Sequence, residues 1–133
     1  TFAHNKQLCL LGFTDQVSLL MDASDVIFTK PGGITSTEAI VKNIPIVHTA
    51  PIPGLENYNA RFFHNHGMSY HTNDTNQQVA IAMRLCEDKA FRNRMLQQQR
   101  LNSNPHTSDD VIDLILNKQE IVYEEQETTH IAR

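Results

Sequence analysis

The most constraining feature of this sequence is a short apolar run that leads into a glycine pair and then a helix start. Residues Asp25–Thr29 are typical of a buried strand, Gly32 and Gly33 follow, and a helix is predicted over Thr35–Lys42. Glycines let a backbone approach a ligand closely, and the free amides of a first helical turn carry a partial positive charge. This order of elements favours an anion site, and phosphate suits such a site.

The carboxylate of Glu38 has two interpretations. It lies one turn inside the predicted helix, where it can accept the hydroxyl protons of a sugar. Alternatively, Thr35 and Glu38 form a capping box, in which each side chain bonds the backbone amide of the other residue. The local pattern by itself favours the capping box, because such boxes are common and glycine pairs are weak signals.

Predicted strands and helices alternate along the chain, which favours an α/β fold with a mostly parallel sheet and helices on both faces. The predicted strands are Gln7–Leu11, Asp25–Thr29, Ile46–His48 and Met68–His71. The predicted helices are Gln16–Ser24, Thr35–Lys42, Asn57–Asn65, Asn76–Glu87, Lys89–Leu101 and Ser108–Leu116. In the strand order usual for doubly wound sheets, the first two predicted strands are not neighbours. We therefore expect exposed sheet edges that favour self-association.

Composition excludes several classes of protein. The 133 residues suffice for one domain, and the net charge of −4, without a Lys/Arg cluster, argues against a nucleic-acid partner. No apolar run reaches the roughly 18 residues that a membrane-spanning helix needs. Cys9 and Cys86 lie in apolar or helical settings, so we expect buried thiols in a reducing compartment.

Four ordered motifs give the chain a family resemblance. They are Gly12–Asp15, Ala23–Asp25, Lys30–Gly33 with Glu38–Ala39, and Pro51–Glu56 with Asn59–Ala60. From about Leu8 to about Leu116 the sequence resembles the carboxy-terminal, donor-binding part of family 28 glycosyltransferases, especially diacylglycerol glycosyltransferases and monogalactosyldiacylglycerol synthases. The resemblance implies a Rossmann-like, incomplete half of a two-domain GT-B enzyme. Residues 1–117 would form the UDP-sugar domain without its first strands, and residues 118–133 a charged tail, either helical or disordered.

The resemblance also implies a set of ligand contacts. The backbone around Phe13 and Thr14 would bind the uracil, Gly32, Gly33, Ile34 and Thr35 the phosphates, Glu38 the ribose, and Leu55, Glu56 and Asn59 the sugar. With the flanking motifs in place, the ribose contact is favoured over the capping box for Glu38. Many relatives have Gln where this chain has Leu55, and leucine cannot bond a sugar hydroxyl. The identity of the sugar therefore stays open.

The implied activity is metal-independent, inverting transfer of a hexose from a UDP-sugar to a lipid such as diacylglycerol, with no cofactor. In the family, the general base and the lipid site belong to an amino-terminal domain, so we expect this chain alone to be inactive. The longer enzyme is expected in the cytoplasm, peripheral to the inner face of a membrane. A nucleotide-sugar-binding subunit that needs a partner chain, a UDP-sugar epimerase fragment and a non-enzymatic nucleotide-binding module are the alternatives.

A few other polar residues invite functional interpretations. Lys30 either offsets phosphate charge or is a solvated loop lysine, with neither favoured. His48 ends a strand at the sheet edge where ligands bind, although a hydrogen-bonded structural histidine is the favoured interpretation. His64 and His66 are two residues apart on a predicted helix and point to different sides, so a metal site there is disfavoured. Ser36 has no evident His–Asp partners, which leaves a hydrolase without support.

Overall fold

The structure is a computed structural model that describes residues 7–104, 106 and 109–116. The chain divides into two compact units, Thr1–Asn102 and Ser103–Arg133. In the second unit, residues 109–116 are helical. The first unit contains α1 (Val17–Asp22), β1 (Ile27–Thr29), α2 (Gly33–Val41), β2 (Ile46–His48), α3 (Leu55–Asn65), β3 (Tyr70–His71), α4 (Thr75–Glu87) and α5 (Lys89–Asn102).

The three strands form one parallel sheet in the order β1-β2-β3. Ile27 of β1 is in register with Ile46 of β2, and Val47 of β2 is in register with Tyr70 of β3. Because the strands are parallel, their carboxyl ends meet at one edge of the sheet. The loops that follow β1 and β2 carry the two predicted ligand motifs, and both therefore lie at this edge, where ligands bind in such folds.

Helices pack on both faces of the sheet, and β2 shows why. Neighbouring side chains of a strand point to opposite faces, so Ile46 and Val47, both fully buried, belong to different cores. Ile46 packs with residues of α2 and α3, and Val47 packs with residues of α4 and α5. The first cluster contains Ala39, Ile40, Ile46, Phe63 and Met68, and the second contains Val47, Ala82, Leu85, Phe91 and Met95. The predicted α/β architecture with a parallel sheet is confirmed.

A buried glutamine fastens α5 to the amino ends of the strands. Gln99 is fully buried, and its Nε2 donates to the carbonyls of Ile44 and Met68, each at 2.9 Å. Its Oε1 accepts from Nδ2 of Asn43 at 3.1 Å. Every polar atom of the side chain is therefore hydrogen-bonded. These bonds fix the segments that lead into β2 and β3 against α5.

The prediction of a strand over Gln7–Leu11 is wrong, because no strand is found there in the described part of the chain. Leu8, Leu10 and Leu11 are exposed. An apolar run gives a segment the tendency to form a strand, but the segment needs a neighbouring strand to complete its hydrogen bonds. The outer side of β1 has no such neighbour among the described residues, and β1 is an edge strand.

Other predicted bounds need smaller corrections. The strand predicted from Asp25 begins at Ile27, because the ladder with β2 begins there. Cys9 and Cys86 are exposed, so the prediction of buried thiols is wrong. Residues 118–133 and the predicted helix start at Ser108 lie outside the described residues, and the predicted boundary after residue 117 stays a prediction. None of the described helices is long and apolar enough to cross a bilayer.

Candidate functional site

The loop between β1 and α2 ends in an uncapped helix N-terminus. The N-cap is Gly32, in an extended conformation, and no side chain bonds the amides of the first turn. A Cβ on Gly32 or Gly33 would meet nothing within 4 Å, so the backbone is open to an approaching ligand. The amide of Ser36 closes the first turn by donating to the carbonyl of Gly32 at 3.2 Å. The amides before Ser36 therefore have no partner within the helix and suit an anion.

The capping-box interpretation of Thr35 and Glu38 is wrong. The helix begins at Gly33, two residues before Thr35, so Thr35 is a helical residue and not the N-cap. Glu38 lies in the second turn and is partly exposed. Its carboxylate is consequently not used to cap this helix.

The second predicted motif, Pro51–Glu56, leads into α3 through Gly54, whose backbone conformation requires a glycine. Gly54 is the N-cap of α3 and has a φ of 115°, a region that residues with a side chain rarely adopt. Leu55 follows as the first helical residue and is 76% exposed. This exposure means that the Leu55 side chain packs little against the described part of the chain.

The structure joins the two motifs through side chains. Nδ2 of Asn59 donates to the carbonyl of Pro31 at 3.1 Å, which ties α3 to the loop before α2. Oε2 of Glu56 accepts from the amide of Ile52 at 2.7 Å, and Oε1 of Glu56 lies 3.5 Å from Nζ of Lys30. The predicted phosphate and sugar positions therefore lie side by side at the carboxyl edge of the sheet.

The charges at this edge are mixed. Lys30 is the cation of the loop, but it lies beside Glu56 and is more than half exposed, so its charge is both partly balanced and screened. Among the described residues, the helix starts of α2 and α3 face this region without a side-chain cap. Their partial positive charges favour a phosphate, although the first turn of α3 also carries the Glu56 carboxylate.

Phe13 and Thr14 are not brought into this arrangement. The Phe13 side chain is fully exposed. The hydroxyl of Thr14 accepts from the amide of Gln16 at 3.1 Å, which is a local turn at the start of α1. Within the described residues, neither of the two bonds a residue of the Lys30–Glu38 loop or of α3, so the uracil contact stays a prediction.

His48 has the structural role that was favoured for it. It is fully buried, with Nε2 at 3.0 Å from Oγ of Ser36 and Nδ1 at 2.9 Å from Oγ of Ser69. Burial, followed by the nearby His71 and His64, lowers its pKa from 6.5 to about 4. The ring is therefore neutral at physiological pH, and both nitrogens are bonded.

This buried chain is not a hydrolase triad. Ser36 is fully buried, and the third member is the hydroxyl of Ser69 where a triad needs a carboxylate. Sequence reasoning noted Ser36 and His48 separately and missed Ser69. A histidine at the end of an apolar strand signals that polar partners are needed, but nothing in the sequence indicates which residues supply them.

The neighbouring histidines serve local contacts. Nδ1 of His64, on α3, accepts from the amide of His71, on β3, at 3.3 Å. Nδ1 of His66 lies 2.8 Å from the carbonyl of Phe62, one turn earlier on α3. No group of three or more potential metal ligands occurs in the described part of the chain.

A comparison with protein families matches residues 5–126 to a family described as protein of unknown function DUF354. The match covers nearly the whole chain. The description carries no activity, so it identifies relationship and not chemistry.

Three curated relatives of this chain are each named processive diacylglycerol beta-glucosyltransferase. That of Bacillus pumilus strain SAFR-032 is 30% identical over 119 residues, covering 90% of this chain and 31% of the relative. That of Staphylococcus carnosus strain TM300 is 31% identical over 99 residues, covering 74% of this chain and 25% of the relative. That of Bacillus licheniformis is 29% identical over 122 residues, covering 92% of this chain and 32% of the relative.

The predicted resemblance to diacylglycerol glycosyltransferases is confirmed by these relatives. The chain spans between a quarter and a third of their length. The similarity includes the segments that form the candidate site, since the first and third of these matches cover about nine-tenths of the chain and the family match runs over residues 5–126.

Proposed function

This chain belongs to the DUF354 family, and we propose that it is the donor-binding part of a glycosyltransferase that moves a hexose from a UDP-sugar to a lipid such as diacylglycerol. The names of the curated relatives support glycosyl transfer to a lipid. The observation that carries the proposal is the open N-terminus of α2 after Gly32 and Gly33, beside the Glu56 and Asn59 contacts.

The diphosphate of the donor binds to the first turn of α2 in this proposal. The amides of Gly33, Ile34 and Thr35 are free of helix partners, and the hydroxyl of Thr35 adds a donor. Departure of UDP leaves negative charge on the diphosphate, and preorganised donors stabilise such charge without reorganising. Lys30 adds to these hydrogen-bond donors when the bound UDP-sugar attracts its ammonium group away from Glu56. This stabilisation is the reason that we propose a reaction without a metal ion or cofactor.

The nucleoside and the sugar bind on either side of the diphosphate. Glu38 accepts hydrogen bonds from the ribose hydroxyls, and the backbone around Phe13 and Thr14 binds the edge of the uracil. Glu56 is already oriented by the amide of Ile52 and keeps free lone pairs for the sugar hydroxyls, whereas Leu55 offers the sugar only an apolar surface. Asn59 positions the loop and stands next to the sugar.

The acceptor site and the general base are proposed to lie outside this chain, either in the same polypeptide or in a partner chain. Inversion of the anomeric centre, which rests on the family resemblance, would follow from attack by the acceptor on the face opposite to UDP. The longer enzyme would act at the inner face of a membrane.

Self-association through the outer side of β1 is proposed as a property of the isolated chain, where Phe28 of that edge strand is half-exposed.

Binding of UDP tests the donor site directly. We expect Glu38→Gln to weaken UDP binding by about five- to tenfold, because the amide still bonds hydroxyls but loses the charge that makes such a bond about 1–1.5 kcal/mol stronger. Glu87→Gln is the matched control, since Glu87 is an exposed carboxylate near the end of α4. Titration calorimetry gives the dissociation constants, and circular dichroism verifies that both variants are folded. Failure of the unaltered chain to bind UDP would refute the proposed function.

Transfer is tested separately from binding. We expect the purified chain to release no UDP from UDP-glucose or UDP-galactose in the presence of diacylglycerol, since the acceptor site is proposed to lie outside it. A longer enzyme that includes this sequence should make a β-glycoside from the α-configured donor and should keep its activity in EDTA. Loss of activity in EDTA would contradict the metal-independent mechanism, and an α-linked product would contradict inversion.

A further inference from the structure

The buried His48 is linked by hydrogen bonds to the turn that the proposed function assigns to phosphate. We propose that His48 is a positioning residue for donor binding, which fixes the first turn of α2 through the hydroxyl of Ser36. This inference rests on the proposed function, because the proposed function assigns the diphosphate to that turn. His48 is fully buried and cannot touch the donor, so it acts only through another residue.

Ser36 connects the histidine to the glycine pair. Its Oγ lies 3.0 Å from Nε2 of His48, and its backbone amide donates to the carbonyl of Gly32 at 3.2 Å. The side chain of Ser36 is therefore anchored to β2 while its backbone closes the turn that bears the free amides. A shift of Ser36 moves these amides together, relative to the carboxyl edge of the sheet.

The other nitrogen of His48 fixes the ring itself. Nδ1 lies 2.9 Å from Oγ of Ser69, the residue before β3, and the Phe63 ring packs against the imidazole at a centroid distance of 5.6 Å. A neutral imidazole has one donor and one acceptor nitrogen, so hydroxyl partners at both ends satisfy it in either tautomer. The ring cannot turn without breaking a buried hydrogen bond, which costs about 1–3 kcal/mol.

The environment of the ring supports a role in positioning. An apolar side chain would fill the same volume without the desolvation cost that lowers the pKa of His48 to about 4. The titratable groups that act on it are His71, from β3, and His64, from α3. The imidazole, unlike an apolar side chain, forms a hydrogen bond that orients the Ser36 hydroxyl.

Two serine variants separate positioning from stability. Ser36→Ala and Ser69→Ala each remove one hydroxyl partner of the same ring, but only Ser36 belongs to the phosphate turn. We expect Ser36→Ala to weaken UDP binding by about three- to tenfold, the scale of helix-terminus interactions with an anion. Ser69→Ala should weaken binding less, because it removes one anchor of the ring but leaves Nε2 of His48 bonded to the hydroxyl of Ser36. Both are measured at a temperature at which circular dichroism shows equal helix content.

A measurement on the unaltered chain covers the case in which Ser36→Ala does not fold. The ring ¹⁵N signals of His48 should shift when UDP saturates the chain, although the ring does not contact the ligand. Equal weakening by the two serine variants, no weakening by Ser36→Ala, or unmoved His48 signals would each overturn the inference. In all three cases the unaltered chain still binds UDP, whereas absence of that binding would refute the proposed function on which the inference rests.

Discussion

Acidification should destabilise this protein because of one buried ring. The pKa of His48 is about 4 in the folded chain and 6.5 in the unfolded chain, with burial as the main cause and His71 and His64 as further causes. Since the folded value is the lower one, the unfolded chain binds a proton first as the pH falls. The contribution of the neutral ring is fully present above pH 6.5 and is lost as the pH decreases to about 4.

The size of the effect follows from proton linkage. Between about pH 7 and about pH 5, this single group should lower the free energy of unfolding by about 2 kcal/mol. With a typical slope for a small domain, that loss lowers the urea midpoint by about 1 M. Asp88, whose pKa is lowered mainly by a backbone hydrogen bond from Phe91, contributes only near and below its ordinary value of 3.8 and stays outside this interval.

Urea unfolding at the two pH values measures the loss. The chain has no tryptophan, so far-UV circular dichroism of its helices is the suitable signal. His48→Gln should flatten the pH dependence, because an amide side chain bonds hydroxyls without titrating. His66→Gln, at an exposed position, is the control that leaves the buried ring in place and should keep the full loss. A His48→Gln chain that loses as much stability as the unaltered chain would refute this reasoning.

Two further predictions concern the core. Gln99→Leu should lower the free energy of unfolding by about 3 kcal/mol or more, because the carbonyls of Ile44 and Met68 lose a buried donor; exposed Gln97→Leu should change it by less than about 0.5 kcal/mol. Leu85→Ala should cost about 2–5 kcal/mol through the cavity left beside Val47, since Leu85 is fully buried. Urea unfolding checks both, and a Leu85→Ala chain as stable as the original would show that the core closes over the cavity.

The local order of elements was determined by the sequence alone. Apolar runs of strand length, glycines and helical periodicity act over a few neighbouring residues, which is why β2 was predicted with its observed bounds and α4 and α5 to within one residue. The alternation of these elements then implies a parallel sheet covered on both faces. The motifs around Gly32 and Gly54 were predicted for the same reason, because turn and helix-start chemistry is local.

Tertiary structure decided everything that depends on distant partners. Gln7–Leu11 has the pattern of a strand, but a strand exists only where another supplies its hydrogen bonds. The helix start at Gly33, two residues before Thr35, removed the capping box and left Glu38 available. The joining of Lys30 to Glu56 and of Ser36 through His48 to Ser69 follows from which loops the parallel sheet brings to one edge. No local pattern encodes such pairs, because their members are far apart in sequence and meet only when the sheet has formed.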